Sequence, residues 1–400
     1  MGNFLEEDLQ LERKFSWKRF ALRSLSYVLV AVVAAYVTLM LFGQPYSKLT
    51  ELESVIDRVF IGDYDKTEIE DAAADAMVAA LGDRWSLYLS AEEYEAYLEN
   101  VSNSFVGIGV TVTHREDNTG EDIVSVVEGG PAEAAGLLVG DTIIKVDGQS
   151  IEGLDTTQAK ALIVGEEGTN VDITVLRNGE EKTFTIERRR IKMKAATGKM
   201  LDGNIGLVRI ENFHEGCGDE AIAAVEALRE QGATALIFDV RFNPGGYVDE
   251  LIKILDHLLP EGVLFREVDY RGAEGTRYSD ADCIEMPMAV LVNGDSYSAA
   301  EFFAACLREY DWATVVGEQT CGKGYFQNTI RLKDGSAVNL SIGKYFTPDG
   351  VSLTEVGGLT PDAPVTVDDE TAALIYANLI EPENDPQLQV AIQEVLKKAG

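Results

Sequence analysis

Hydrophobic and polar positions change their period three times along this chain of 400 residues. From Ser24 to Phe42 no residue is charged, and at 1.5 Å per residue such a helix is roughly 29 Å long, the thickness of a hydrocarbon core. Arg13, Lys14, Lys18, Arg19 and Arg23 precede it and no Lys or Arg follows before Lys48. The positive-inside rule therefore predicts one transmembrane helix at 24–42, with the leader 1–23 cytoplasmic and the remainder extracytoplasmic. M-L-F-G-Q-P is a poor small-residue cleavage site, which favours a retained anchor over a signal peptide. Over 47–100, apolar residues recur at spacings of three and four, as in L-T-E-L-E-S-V-I-D-R-V-F, and predict a helical N-terminal region. Over 104–190 the pattern turns to short β-rich runs with Gly turns around one helical piece, Thr156 to Val164. Strands then alternate with helices (Glu220 to Gln231, Val248 to Leu259, Ser298 to Tyr310), which predicts a parallel βαβ core over 191–370, with a helical segment at 371–400.

The composition, 46% hydrophobic and 26% charged, is that of a globular protein. A net charge of −34 excludes a phosphate backbone or an anionic lipid surface as partner, and the exported part alone keeps about −35. Three histidines and four cysteines, with no C-x-x-C metal or redox motif, leave any catalysis to other groups. The cysteines are too few to choose between disulfides and buried thiols.

Two segments carry chemistry. In F-V-G-I-G-V (Phe105, Val106, Gly107, Ile108, Gly109 and Val110), two glycines precede a strand, so backbone N–H groups can face a ligand unobstructed. Downstream, G-P-A-E-A-A-G-L-L-V-G-D-T-I-I-K-V-D-G and L-I-V-G-E-E-G-T-N-V-D-I-T-V-L-R follow at spacings that resemble a PDZ domain. The resemblance implies that a substrate's C-terminal carboxylate sits on the Phe105 to Gly109 loop. Its last residues would add a strand beside Ile108 to Val112, and Ala161 or Leu162 would shape the terminal side-chain pocket. In the other segment, M-A-V-L-V runs into N-G-D-S-Y-S-A-A-E, a turn and a helix start, where Ser298 meets the unpaired N–H groups of a helix N-terminus. Alone, Ser298 is also an ordinary N-cap. T-C-G-K-G-Y-F-Q follows, with Lys323 between two glycines and Gln327 four residues on, on the same face of an extended run. A lysine acts as a base only when neutral, and lowering its pKa from about 10.4 to near 7.5 costs roughly 4 kcal/mol, which burial and the Gln327 amide can impose.

Together, S-Y-S-A-A-E and G-E-Q-T-C-G-K-G-Y-F-Q resemble the signature of the carboxyl-terminal processing peptidases, the tail-specific serine proteases of family S41. D-V-R-F-N-P-G-G resembles their oxyanion turn, Y-F-T-P-D-G-V-S-L-T-E-V-G-G-L-T-P-D their closing segment, and A-L-G-D-R-W-S-L-Y-L their N-terminal helical cap. The resemblance implies a ClpP/crotonase-like α/β protease core with an inserted PDZ domain. It implies Ser298 as nucleophile, Lys323 as general base, Gln327 as the residue orienting the lysine, and the N–H of Ala299 with that of Gly245 or Gly246 as oxyanion donors. It also implies a mechanism that needs no metal and no cofactor, and a homodimer contact through the N-terminal helices and Asp385 to Leu396. This chain has Tyr297 and Ala300 where the family usually has Ala and Ser, Cys321 where an aromatic often stands, and Val164 where many relatives carry a basic residue. Three other readings compete: a Ser-His-Asp triad using His214 or His257, a membrane-tethered PDZ scaffold or chaperone that cuts nothing, and a crotonase-type acyl-coenzyme A enzyme sharing the Pro-Gly-Gly turn. The first reads against the structural settings of both histidines, the last against an exported location.

Overall fold

A computed structural model describes residues 17–42, 48–115 and 117–399. They fall into two compact units, Met1–Ala76 and Met77–Gly400. The first contains the helices Trp17–Phe42 and Lys48–Val59 and most of Lys66–Ala79. The anchor expected at 24–42 lies on the first helix. Its side chains are described without a break only over 23–38, roughly 24 Å at 1.5 Å per residue. Among the described residues no helix is long and apolar enough to cross a membrane.

The second unit is built on a sheet whose strands run in the order Ala196–Leu201, Ile205–Ile210, Ala235–Asp239, Met288–Val292, Ala313–Gly317 and Ala363–Pro364. Only the first pair is antiparallel. Its central strands read as unbroken apolar runs because both faces are covered. Leu236, Phe238, Val290 and Val292 point into a core with the helices Cys217–Glu230, Val248–Leu258 and Ala299–Glu309. Ile237, Ala289 and Leu291 point the other way, onto Leu388, Ala391 and Val395 of the helix Pro386–Ala399. The apolar stripe of the C-terminal segment, expected at a dimer contact, is thus used within the chain.

A second, antiparallel sheet has the order Leu87–Leu89, Ala337–Phe346, Gly262–Asp269, Glu274–Ser279, and Tyr325–Arg331 also pairs with Ala337–Phe346. The 80–89 segment expected as part of a helical cap is therefore a turn followed by an edge strand, in register Leu87 to Asn339 and Leu89 to Ala337.

Residues 108–187 fold around their own core of Ile108, Ile123, Ile143, Val171, Ile173, Val175 and Ile186. The sheet order is Val110–His114, Glu121–Val126, Thr142–Val146, Asn170–Arg177, Glu180–Glu187. The expected helix is present at Thr156–Ile163, opened by an Asp155/Gln158 capping box. A short helix at Pro131–Ala135 was not expected. The strands entering and leaving this module, Ser104–Gly107 and Arg189–Lys192, pair antiparallel with each other, as an insertion requires.

Candidate active site

The strand Met288–Val292 ends in a turn that delivers Ser298 to the tip of the helix Ala299–Glu309. Ser298 has φ 58° and ψ −121°, a backbone setting that costs a non-glycine residue about 1–3 kcal/mol and persists only where the surroundings impose it. Here they do. The carboxylate of Glu301, fully buried, accepts from the N–H of Ser298 at 3.0 Å, Gly322 at 2.6 Å and Lys323 at 2.9 Å, and from the Thr320 hydroxyl. One side chain thus fastens the peptide of the serine to the peptide of the lysine. Burial pushes the Glu301 carboxyl up from its usual pKa, opposed by these four donors.

The Pro-Gly-Gly turn docks on the serine turn. Tyr297 N–H donates to the Asn243 carbonyl at 3.2 Å, and Phe242 N–H donates to the Asn293 side-chain oxygen at 2.8 Å. Gly245, at φ 86°, lies so close that a Cβ there would stand 2.8 Å from Ser298 Cβ and 2.9 Å from Ala299 N. A Cβ on Gly246 would stand 2.3 Å from the Phe213 carbonyl carbon. Of the two glycines named as alternative oxyanion donors, Gly245 donates its N–H to the Asn243 side-chain oxygen at 2.8 Å. The N–H groups of Gly246 and Ala299 have no partner among the described residues, and both residues line the same cavity as Ser298.

That cavity, of about 640 Å³, also receives Lys323, Gln327, Phe326, Tyr345 and His214. The lysine's strand begins only at Tyr325 and carries a register shift between Phe326 and Gln327, so simple alternation does not govern this stretch. Lys323 and Gln327 reach one cavity all the same. Burial pushes the Lys323 amine down to about 8, against the raising influence of Asp83, Cys321 and Glu301. Gln327 spends its Nε2 on the Tyr325 carbonyl and Ser341 Oγ, at 3.0 and 3.1 Å. The Tyr345 phenol donates to the Lys323 carbonyl, and burial pushes its pKa up against the opposing influence of the Ser298 hydroxyl. The Lys323 amine lies over the Trp85 ring rather than in a hydrogen bond to Ser298 or Gln327 among the described residues.

His214 lines the cavity, but burial lowers its pKa, its Nδ1 is buried without a partner, and no carboxylate bonds to it among the described residues. It lacks the acid of a triad. His257 bonds instead to Glu226 at 2.9 Å, on the helix Val248–Leu258. Among the described residues no cluster of His, Cys, Asp or Glu is arranged to hold a metal, and the four cysteines are free thiols, Cys217 and Cys306 buried.

In the inserted module, Val110–His114 is an edge strand in contact with the helix Thr156–Ile163. The five-residue loop expected to cradle a carboxylate is divided. Phe105, Val106 and Gly107 belong to the strand paired with Arg189–Lys192, and only Ile108 and Gly109 form the connection. Leu162 is half-buried against the module's core, whereas Ala161 is exposed. Arg188, itself buried, donates to the carbonyls of Ile163, Leu162 and Asn170 and ties down the end of that helix.

Sequence reasoning passed over Glu301, Asn243 and Trp85. The S-x-x-E spacing of a capping box marks Glu301, but nothing local marks the other two.

The family model described as Peptidase family S41 matches residues 204–365, and the PDZ domain model matches 106–187. The chain is 34% identical over 348 residues to the "Carboxy-terminal processing protease CtpA" of Bacillus subtilis (strain 168), covering 82% of this chain and 74% of that protein. It is 33% identical over 326 residues to a "Probable CtpA-like serine protease" of Staphylococcus aureus (strain N315), covering 80% of this chain but 64% of the relative, just under two thirds of its length. A putative S41 protease from Bacteroides fragilis NCTC 9343 has a similar fold, at TM-score 0.58 and 17% identity, over 85% of this chain and 93% of that one. With a peptidase S41 match over the parallel-sheet core, a PDZ match over the inserted module and 34% identity across 82% of its length to a carboxy-terminal processing protease, the chain belongs to peptidase family S41, the carboxy-terminal processing serine proteases.

Proposed function

We propose that the protein is an endopeptidase in which Ser298 is the nucleophile, Lys323 the general base, Gln327 the amide that steadies the lysine, and the N–H groups of Ala299 and Gly246 the oxyanion donors. What carries this reading is the convergence of a strained helix-tip serine, two unpartnered N–H groups and a lysine lowered to about 8 on one cavity. The neutral Lys323 amine takes the Ser298 proton as Oγ bonds to the scissile carbonyl carbon and the carbonyl electron pair moves onto oxygen. Two N–H donors stabilise that oxyanion, each worth about 3 kcal/mol in comparable sites. The ammonium then returns its proton to the leaving amine, and an acyl ester remains. Water, deprotonated by the same lysine, attacks the ester and frees Ser298. Gln327, with Nε2 already engaged, has Oε1 to offer the amine.

Selection of protein tails falls to the PDZ module. A free carboxylate would meet the connection at Ile108 and Gly109, and the tail would extend the edge strand Val110–His114 beside Leu162. The parallel strand order and the Pro-Gly-Gly turn support a ClpP/crotonase-like core. The uncharged run 24–42 behind five basic residues supports a single-pass anchor with the catalytic part outside.

Cleavage of an unfolded protein ending in an apolar residue, with a free or an amidated C-terminus, tests both halves. The Ser298→Ala protein should leave either substrate whole, and amidation should raise KM with kcat little changed. Equal digestion by Ser298→Ala and wild type would sink the catalytic reading, and indifference to amidation would sink the tail reading.

A further inference from the structure

Lys323 lies beside two aromatic rings from distant parts of the chain. Its Nζ is 4.6 Å from the Trp85 ring centre and 5.8 Å from that of Tyr297, and the two rings are 5.8 Å apart, tilted by 32°. Tyr297 directly precedes the nucleophile. Trp85 lies ahead of the PDZ module and outside the matched protease segment 204–365. Its position is built, not incidental. The Asp83 carboxylate accepts from Trp85 N–H at 3.1 Å and Ser86 Oγ at 2.6 Å. Ser86 Oγ in turn accepts from Ser341 N–H at 3.0 Å, and the edge strand Leu87–Leu89 follows at once. Arg84 lies over the Trp85 ring at 4.2 Å and reaches the Cys321 carbonyl at 3.4 Å.

We propose that Trp85 and Tyr297 form a half-buried aromatic slot that positions the Lys323 amine for its work, so that Trp85 is a positioning residue of the protease site although it lies outside the protease core. The proposal rests on Lys323 being the general base. The slot acts twice. It keeps water from the resting amine, which disfavours the ammonium. When the amine takes the serine proton, the new cation finds ring faces already in place, a contact worth about 0.5–2 kcal/mol. The charged and titratable groups facing the amine are Asp83 and Arg84 from the turn, Cys321 from the lysine's own loop, Glu301 from the serine helix and the Tyr297 phenol. Asp83, Cys321 and Glu301 favour the ammonium and Arg84 opposes it, while burial outweighs them and lowers the amine to about 8. Opening the slot to water should therefore raise it, the loss of burial outweighing the loss of the ring contact that favours the ammonium.

The test is the pH dependence of kcat/KM on an unfolded protein substrate, for the full chain as wild type, Trp85→Ala, Trp85→Phe, Tyr297→Ala and Lys323→Ala. Trp85→Ala should move the acid limb up by about one pH unit, so that kcat/KM at pH 7 falls roughly tenfold and recovers at high pH. Trp85→Phe should restore most of the limb, and Tyr297→Ala should shift it the same way by less. An acid limb left in place, or moved down, in Trp85→Ala overturns the slot. Partial unfolding lowers the amplitude of the profile without moving the limb. If Trp85→Ala gives no folded protein, an unmoved limb in both Tyr297→Ala and Trp85→Phe overturns the slot equally. Wild-type activity in Lys323→Ala would instead overturn the base assignment beneath it.

Discussion

The serine and the lysine are held in place by different physics. Around Ser298 the backbone is held by hydrogen bonds within the α/β core, Glu301 on its N–H, Asn243 on the neighbouring turn, Asn293 and Ser296 beneath, and by the close approach of Gly245. Such bonds fix a backbone to within a few tenths of an ångström, and that fixity lets a serine keep φ 58°. Around Lys323 the backbone is equally bound, through Glu301 and Tyr345, but the amine rests on packing against rings. The core therefore fixes the serine backbone, whereas the amine answers to burial and to charged groups from both the 83–85 turn and the core. Attack demands one geometry, whereas proton transfer demands a balance between two charge states.

The largest test of the contrast removes each partner in turn. Ser298→Ala and Lys323→Ala should each lower kcat by about 10⁴-fold or more, and the double variant no further than the singles, because the two act as a unit. Losses that multiplied would break the pairing. Next, Glu301→Ala strips the acceptor from four donors beneath both residues, each costing about 1–3 kcal/mol when left buried and unpaired. Urea unfolding should show a loss of at least about 3 kcal/mol together with the loss of activity, and an unchanged midpoint would mean that the tie is dispensable. Smaller still is the wild-type pH effect. A lysine lowered to about 8 gains its proton-accepting form as pH rises, so kcat/KM should climb through about pH 8 and then level off, with a flat profile from pH 6 to 9 as the contrary result. The smallest effect is expected of His214→Ala. With no acid behind it, the imidazole should be replaceable within about threefold in kcat/KM, and a dead but stably folded variant would reassign the base.

Much of this was legible in the sequence because the relevant patterns are local. Apolar runs announced the buried parallel strands, Ser298 stood at a strand-turn-helix junction, and Lys323 stood between glycines. Of the second sheet only the extended run holding Gln327 was legible. Gly262–Asp269 and Ala337–Phe346 mix charged and apolar residues, and their pairing joins positions some eighty residues apart that no periodicity links. The same applies to Trp85. Its turn reads as the end of a helical region, and only the pairing of Leu87–Leu89 with the 337–339 stretch brings the indole over an amine more than two hundred positions away. The choice between Gly245 and Gly246 also needed three dimensions, since it depends on where the Asn243 side chain turns. For the apolar run 24–42, the described residues add a helix and leave the membrane question to the flanking charges.

The neck of the PDZ module has a practical corollary. Because Ser104–Gly107 and Arg189–Lys192 leave the core side by side, the chain enters and exits within one ladder spacing, about 5 Å. A foreign domain whose own termini lie equally close would graft there without stretching the peptidase, which makes the PDZ module an interchangeable part.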